Sequence, residues 1–155
     1  MPNSPQDNDL AAWHRFFAIE YNNRAWDLAV QSRTPIEDEE MLNAAHAAAL
    51  HWAAGGDELN QMRAKMLLAE VHALLGYGTS ALAYAQRMCR FFLSRETPDW
   101  EVAFAHAIHA HAAHAAGEIN VFKAAYAEAS QALNAISDPD DRAIVQQTFD
   151  LVLTI

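Results

Sequence analysis

Cysteine is nearly absent from this chain. Cys89 stands alone, so no disulfide can form within the molecule, and a reducing compartment is expected. Basic residues are scarce as well: ten Lys and Arg face twenty Asp and Glu, a formal charge of −10. A surface of that sign repels phosphate backbones and anionic lipid, so neither nucleic acid nor a membrane is an expected partner. The uncharged runs are mostly alanine broken by histidine, too weakly apolar for a bilayer helix. The opening residues, MPNSPQDND, contain no apolar stretch of the kind a secretory leader needs, and the expected location is cytoplasmic. There are only five glycines, placed at the ends of helical patterns, which leaves no glycine-rich loop to cradle a phosphate. No G-x-S-x-G occurs, and Cys89 sits mid-helix among Ala85, Met88 and Phe92, a setting of low reactivity. Sustained alternation of apolar and polar residues is also missing, which excludes a sheet.

What the sequence does contain is helical periodicity from end to end. Its 155 residues have the size of one domain with a core of its own. Residues 1–8 read as a flexible leader, and 9–155 as a single helical domain. Trp13, Phe16, Phe17, Tyr21, Leu28 and Val30 recur at helical spacing and predict a first helix over about 9–32. Thr34-Pro35 with Glu37 has the residues of a capping box and opens a second helix, which stops at Gly55-Gly56. Asp57 caps a third that ends at Gly76, and the short link through Gly78 folds a fourth (79–95) back against it. Thr97-Pro98 opens a fifth helix, closed by Gly117, and a sixth follows over 118–136. Asp138-Pro139 opens a seventh, with Asp140 and Asp141 in its first turn. The fold class is therefore all-α, with about seven helices.

Two of these helices carry almost no charge. Residues 102–117 hold His106, His109, His111 and His114 among alanines, and 41–56 hold His46 and His51 in the same company. A helix with nowhere to put a charge is buried on more than one side, so helices 2 and 5 are expected to be the inner elements. The tryptophans Trp13, Trp26, Trp52 and Trp100 are expected as core anchors. The terminal FDLVLTI caps the last helices or docks on a second copy to give a homodimer.

Gly76 and Gly117 each separate one helix from the next, about forty residues apart, so 58–96 and 99–137 share one helix–turn–helix plan. Leu68, Ala69 and Ala81 in the first unit, and Ala110, Tyr126 and Ala129 in the second, fall on small and aromatic positions of the tetratricopeptide repeat. The last two-thirds of the chain thus resembles the tetratricopeptide-repeat-like (TPR-like) helical family, including uncharacterised bacterial members. Lys65 and His106 stand where that repeat has its helix-A aromatic, and Phe122 replaces its first helix-B alanine. The resemblance implies antiparallel helix pairs stacked as a short right-handed α-solenoid. It also implies a concave groove that binds a peptide or partner protein, lined by Arg63, Met66, Glu70, Phe104, His111 and His114. Tyr21 and Arg24 are added from the first helix. On this view Arg63→Ala or His111→Ala would weaken partner capture and leave folding intact.

The alternative is a metal- or small-molecule-binding enzyme built on the histidines. Pairs three residues apart, such as His106/His109 and His111/His114, can share an ion, but zinc needs further ligands from His46, His51, His72 or a carboxylate such as Glu70. No H-E-x-x-H or cysteine cluster supplies them, and histidines packed in a small-residue interface are the simpler expectation. No metal, cofactor or catalytic residue is assigned.

Overall fold

The computed structural model describes residues 9–152, and these form seven helices. They are α1 (Leu10–Ala29), α2 (Pro35–Gly55), α3 (Glu58–Leu74), α4 (Gly78–Phe92), α5 (Asp99–Ala115), α6 (Ile119–Ala135) and α7 (Pro139–Leu151). Local chemistry sets their limits. Thr34 accepts from the Glu37 amide while the Glu37 carboxylate accepts from the Thr34 amide, a closed capping box with Pro35 in the first turn. Asp57 and Asn60 repeat the reciprocal bond at α3, and Asp138 accepts from the Asp140 and Asp141 amides at α7. α3 and α5 end in the same way. Tyr77 N–H donates to His72 C=O over Gly76 (φ 77°), and Glu118 N–H donates to Ala113 C=O over Gly117 (φ 74°). Both turns are Schellman closures, and both need the left-handed conformation that glycine adopts without penalty.

The Thr97-Pro98 step does not copy Thr34-Pro35. Pro98 is itself the N-cap residue of α5, and Thr97 turns back to donate its hydroxyl to Phe92 C=O. Ser94 and Arg95 likewise bond the carbonyls of Arg90 and Phe91. These side chains satisfy the last carbonyls of α4, which ends at Phe92, three residues short of the sequence expectation.

Successive helices pack antiparallel, and alternate helices also touch: α1 on α3, α3 on α5, α5 on α7. α5 is enclosed as expected, with ten of its 17 residues buried. The other enclosed helix is α3, with nine of 17 buried, whereas α2 buries four of 21. The expectation that α2 is inner is therefore corrected. Met41, Ala44, Ala45 and Ala48 form its single buried stripe, and Leu50 on the other side is 71% exposed. α2 has α1 and α3 beside it and nothing beyond; a run of alanine lacks charge without gaining enough apolar area to demand burial. α3 instead divides the core. Leu67, Leu68 and Val71 pack with α1 and α2, while Met66, Ala69 and Ala73 pack with α4 and α5. At the end of the described chain Phe149 and Val152 are buried against the last helices; the rest of the apolar terminus lies outside the described residues.

Of the five glycines, Gly78 stands closest to neighbouring backbone. A Cβ there would overlap the Ala115 carbonyl and the Ala116 Cα, so α4 starts directly against the end of α5. Gly78→Ala should therefore cost about 1–3 kcal/mol by overpacking. Gly76→Ala, where the added methyl meets nothing, should cost only the left-handed backbone penalty of about 1 kcal/mol. Urea denaturation of the two variants checks the order.

Candidate functional site

α1, α3, α5 and α7 surround a hollow of about 380 Å³. α1 supplies Asn22, Trp26 and Asp27, with Val30 at its end; α3 supplies Arg63 and Met66; α5 supplies Trp100, Glu101 and Phe104; α7 supplies Ile144, Gln147 and Thr148. The spacing 22, 26, 30 on α1 and 144, 147, 148 on α7 puts each set on one helical face. Trp26 and Phe104 meet with ring centres 5.2 Å apart, tilted by 54°. Met66 and Phe104 are almost completely buried, while Ile144 is 60% exposed.

One ion pair dominates the wall. Arg63 donates from Nε to Glu101 Oε2 at 2.8 Å and from Nη2 to Oε1 at 3.3 Å, a two-pronged contact between α3 and α5. Its guanidinium carbon lies 5.8 Å from the Trp100 ring centre. Exposure is unequal: the Glu101 side chain is 3% exposed and that of Arg63 41%. Glu101 is thus the buried anchor, and Arg63 is the face turned to solvent.

Of the residues expected in the groove, the structure brings Arg63, Met66 and Phe104 together in this hollow. Glu70 and His111 do not reach it. Both are fully buried, and His111 Nδ1 lies 2.9 and 3.0 Å from the two Glu70 oxygens, which fixes the ring hydrogen on Nδ1. They form a polar cross-link inside the α3–α5 interface, so this part of the expected lining is corrected. His114 turns toward α6 and packs edge-on against Phe122, with ring centres 5.1 Å apart. Tyr21 and Arg24 belong to a second hollow, between α1 and α2. There Arg24 donates to Glu40 at 2.6 Å, a bond that holds the Glu40 carboxyl below its usual range, and Tyr21 stacks near His51. The expected effect of the two alanine variants changes accordingly. Arg63→Ala would leave the buried Glu101 charge without its partner, and His111→Ala would do the same to Glu70, so neither leaves folding intact.

The residues that sequence reasoning missed are Asn22, Trp26, Asp27 and Val30 from α1 and its end, Trp100 and Glu101 from α5, and the α7 trio. The two tryptophans carried a usable signal, since each is followed directly by an acid, Trp26-Asp27 and Trp100-Glu101.

The histidines meet in twos. His14 Nδ1 lies 2.9 Å from His51 Nδ1, tying α1 to α2, and His46 Nε2 lies 3.0 Å from His72 Nε2, tying α2 to α3. His72 Nδ1 also meets Ser80 Oγ at 2.6 Å. Among the described residues no group of three or more His, Cys, Asp or Glu converges as a metal would require. Cys89 is buried, which pushes its thiol up to about 12, far from a nucleophile's range. Among the described residues no helix is long and apolar enough to cross a membrane.

Burial lowers His51, His72, His106 and His109 below the ordinary histidine value. Neighbouring imidazoles add to the effect at His51, His72 and His109, and Glu128 opposes it at His106. Below about pH 6.5 the unfolded chain takes up protons that the folded chain resists, so these groups contribute stability above that value and lose it as pH falls. Each His–His bond also needs one bare ring nitrogen, and double protonation removes it. Thermal melts should therefore shift down by at least about 3 °C between roughly pH 7.5 and pH 5.5. Comparison of the chain with protein-family models, with curated proteins and with solved structures returns no match.

Proposed function

We propose that this chain is a TPR-like interaction module that binds a peptide or a segment of a partner protein in the hollow between α1, α3, α5 and α7. The observation that carries the reading is the origin of the lining: every wall comes from an odd-numbered helix or its cap, and none from α2, α4 or α6. A stack of helix pairs with one concave side places its inner helices in that way, and the contacts of α1 with α3, α3 with α5 and α5 with α7 support it. In this reading the chain is a short right-handed α-solenoid whose inner helices bind and whose outer helices shield the core.

The chemistry of the hollow fits recognition. Its aromatic floor offers area that a partner's apolar side chain can cover, and its amides and ion pair supply direction. Arg63 is held in place before any partner arrives, which limits the ordering cost of binding. The binding residues are Asn22, Trp26, Arg63, Trp100, Phe104 and Ile144, with Met66 beneath.

Selection from a displayed library of random linear peptides, followed by affinity measurements, tests this. Recovered peptides should bind the wild type and Ile119→Glu, an exposed change on α6, equally well. Ile144→Lys at the rim should weaken them at least about tenfold, or about 1.4 kcal/mol. Equal binding to Ile144→Lys would mean that the hollow is not the site.

A further inference from the structure

We infer that the hollow takes a cationic side chain, an arginine carried on an extended segment of a partner protein. This rests on the groove reading above and adds what the groove selects.

The argument starts from a repeated pair of residues. In α5, Trp100 and Glu101 are adjacent, and together they hold a guanidinium: Glu101 accepts both prongs of Arg63, and the Trp100 ring lies beside its cationic carbon. In α1, Trp26 and Asp27 are adjacent and line the same hollow, so they offer the same two groups, an indole and a carboxylate. The α5 pair is occupied by the chain's own arginine. The α1 pair is not. Asp27 is exposed and makes no ion pair among the described residues; the arginine nearest to it along α1, Arg24, feels its charge but is bonded to Glu40.

Charge decides the sign of the ligand. The lining carries two carboxylates, Asp27 and Glu101, against the single guanidinium of Arg63. Arg63 cannot be released to an anionic ligand without leaving Glu101 charged and almost wholly buried with no counter-charge. Its cationic charge is therefore spent within the wall, and the charge left to face a ligand is that of Asp27. The whole chain, at −10, draws a cation toward the hollow and repels an anion.

Geometry then selects arginine over lysine. Trp26 and Phe104 are in ring contact and line the same hollow as Asp27, and a planar, weakly hydrated guanidinium stacks on such rings while keeping its edge for a carboxylate. Asn22 and Gln147, one from each flanking helix, supply carbonyl oxygens for the remaining N–H groups.

The experiment uses three synthetic nonapeptides, acetyl-GSLAXALSG-amide, in which X is arginine, its neutral isostere citrulline, or glutamate. Binding is followed by the indole N–H signals of the full-length protein in nuclear magnetic resonance, with Trp13 and Trp52 as indoles outside the hollow. The arginine peptide should move the Trp26 and Trp100 signals and bind at least about tenfold more tightly than the other two, an advantage that shrinks in high salt. Asp27→Asn, an exposed helical change, should remove most of that advantage while leaving the spectrum of the free protein folded. If citrulline or glutamate peptide moves the same two signals with equal affinity, the cationic preference is overturned and the groove survives. If the arginine peptide moves only Trp13 or Trp52, or if no peptide moves Trp26 and Trp100, the inference and the groove reading both fall.

Discussion

Two polar contacts lock α3 to α5, and the arrangement of the other helices follows from that lock. Arg63 meets Glu101 and Glu70 meets His111, offsets of 38 and 41 residues. Since both partners advance along the chain together, the two helices run in the same direction, with the intervening helix α4 antiparallel to each. Polar contacts buried in whole or in part add little net stability over an apolar packing, because desolvation offsets their attraction. Removing one partner, by contrast, strands a charge in the core. Their effect is therefore on register: any sliding of α3 along α5 separates two polar pairs at once, whereas the alanines between them would tolerate it.

That register is also what makes the hollow. Because α3 and α5 are parallel neighbours, the residues at their early turns, Arg63, Met66, Trp100, Glu101 and Phe104, come to one side and form a floor. α1 and α7 touch the outer flanks of this pair and raise the walls. The deeper of the two cross-links, between Glu70 and His111, is sealed from solvent and can only hold the floor together. The shallower one, between Arg63 and Glu101, has one partner buried and the other at the surface, so it joins the internal register to the wall of the hollow. The histidine contacts play a comparable part at the edge, where His14–His51 and His46–His72 fasten α2 on both sides.

Much of the fold was legible because helix ends are written in local chemistry. Thr34-Pro35-x-Glu37, Asp57, Asp138-Pro139 and the glycines at 76 and 117 satisfy terminal amides and carbonyls within a few residues, and no distant contact can disguise that. Pro98 was the exception, since Thr97 had a nearer carbonyl to serve. Burial was harder to read. An uncharged alanine run is compatible with an enclosed helix and with an outer one, and α5 and α2 took the two outcomes. α3 carries Arg63, Lys65 and Glu70 in its sequence, yet it is enclosed, because Glu70 is paired inside and Arg63 reaches the rim.

The site divides along the same line. Arg63, Met66 and Phe104 were legible from the repeat spacing, which places equivalent turns on one side. Glu70 and His111 lie at equally plausible positions one and two turns further on, but helical arithmetic does not say which of two covered sides faces a neighbouring helix and which faces a groove. The α7 residues were unreadable for another reason: they join the hollow only through the packing of α7 on α5. Native-state hydrogen exchange tests the α3–α5 lock most directly. Amides within 64–73 and 103–113 should exchange only through global unfolding, and those of α2 and α7 through smaller openings. If α2 amides are protected as strongly as those of α3, or if α3 opens independently of α5, the lock is not what holds this molecule together.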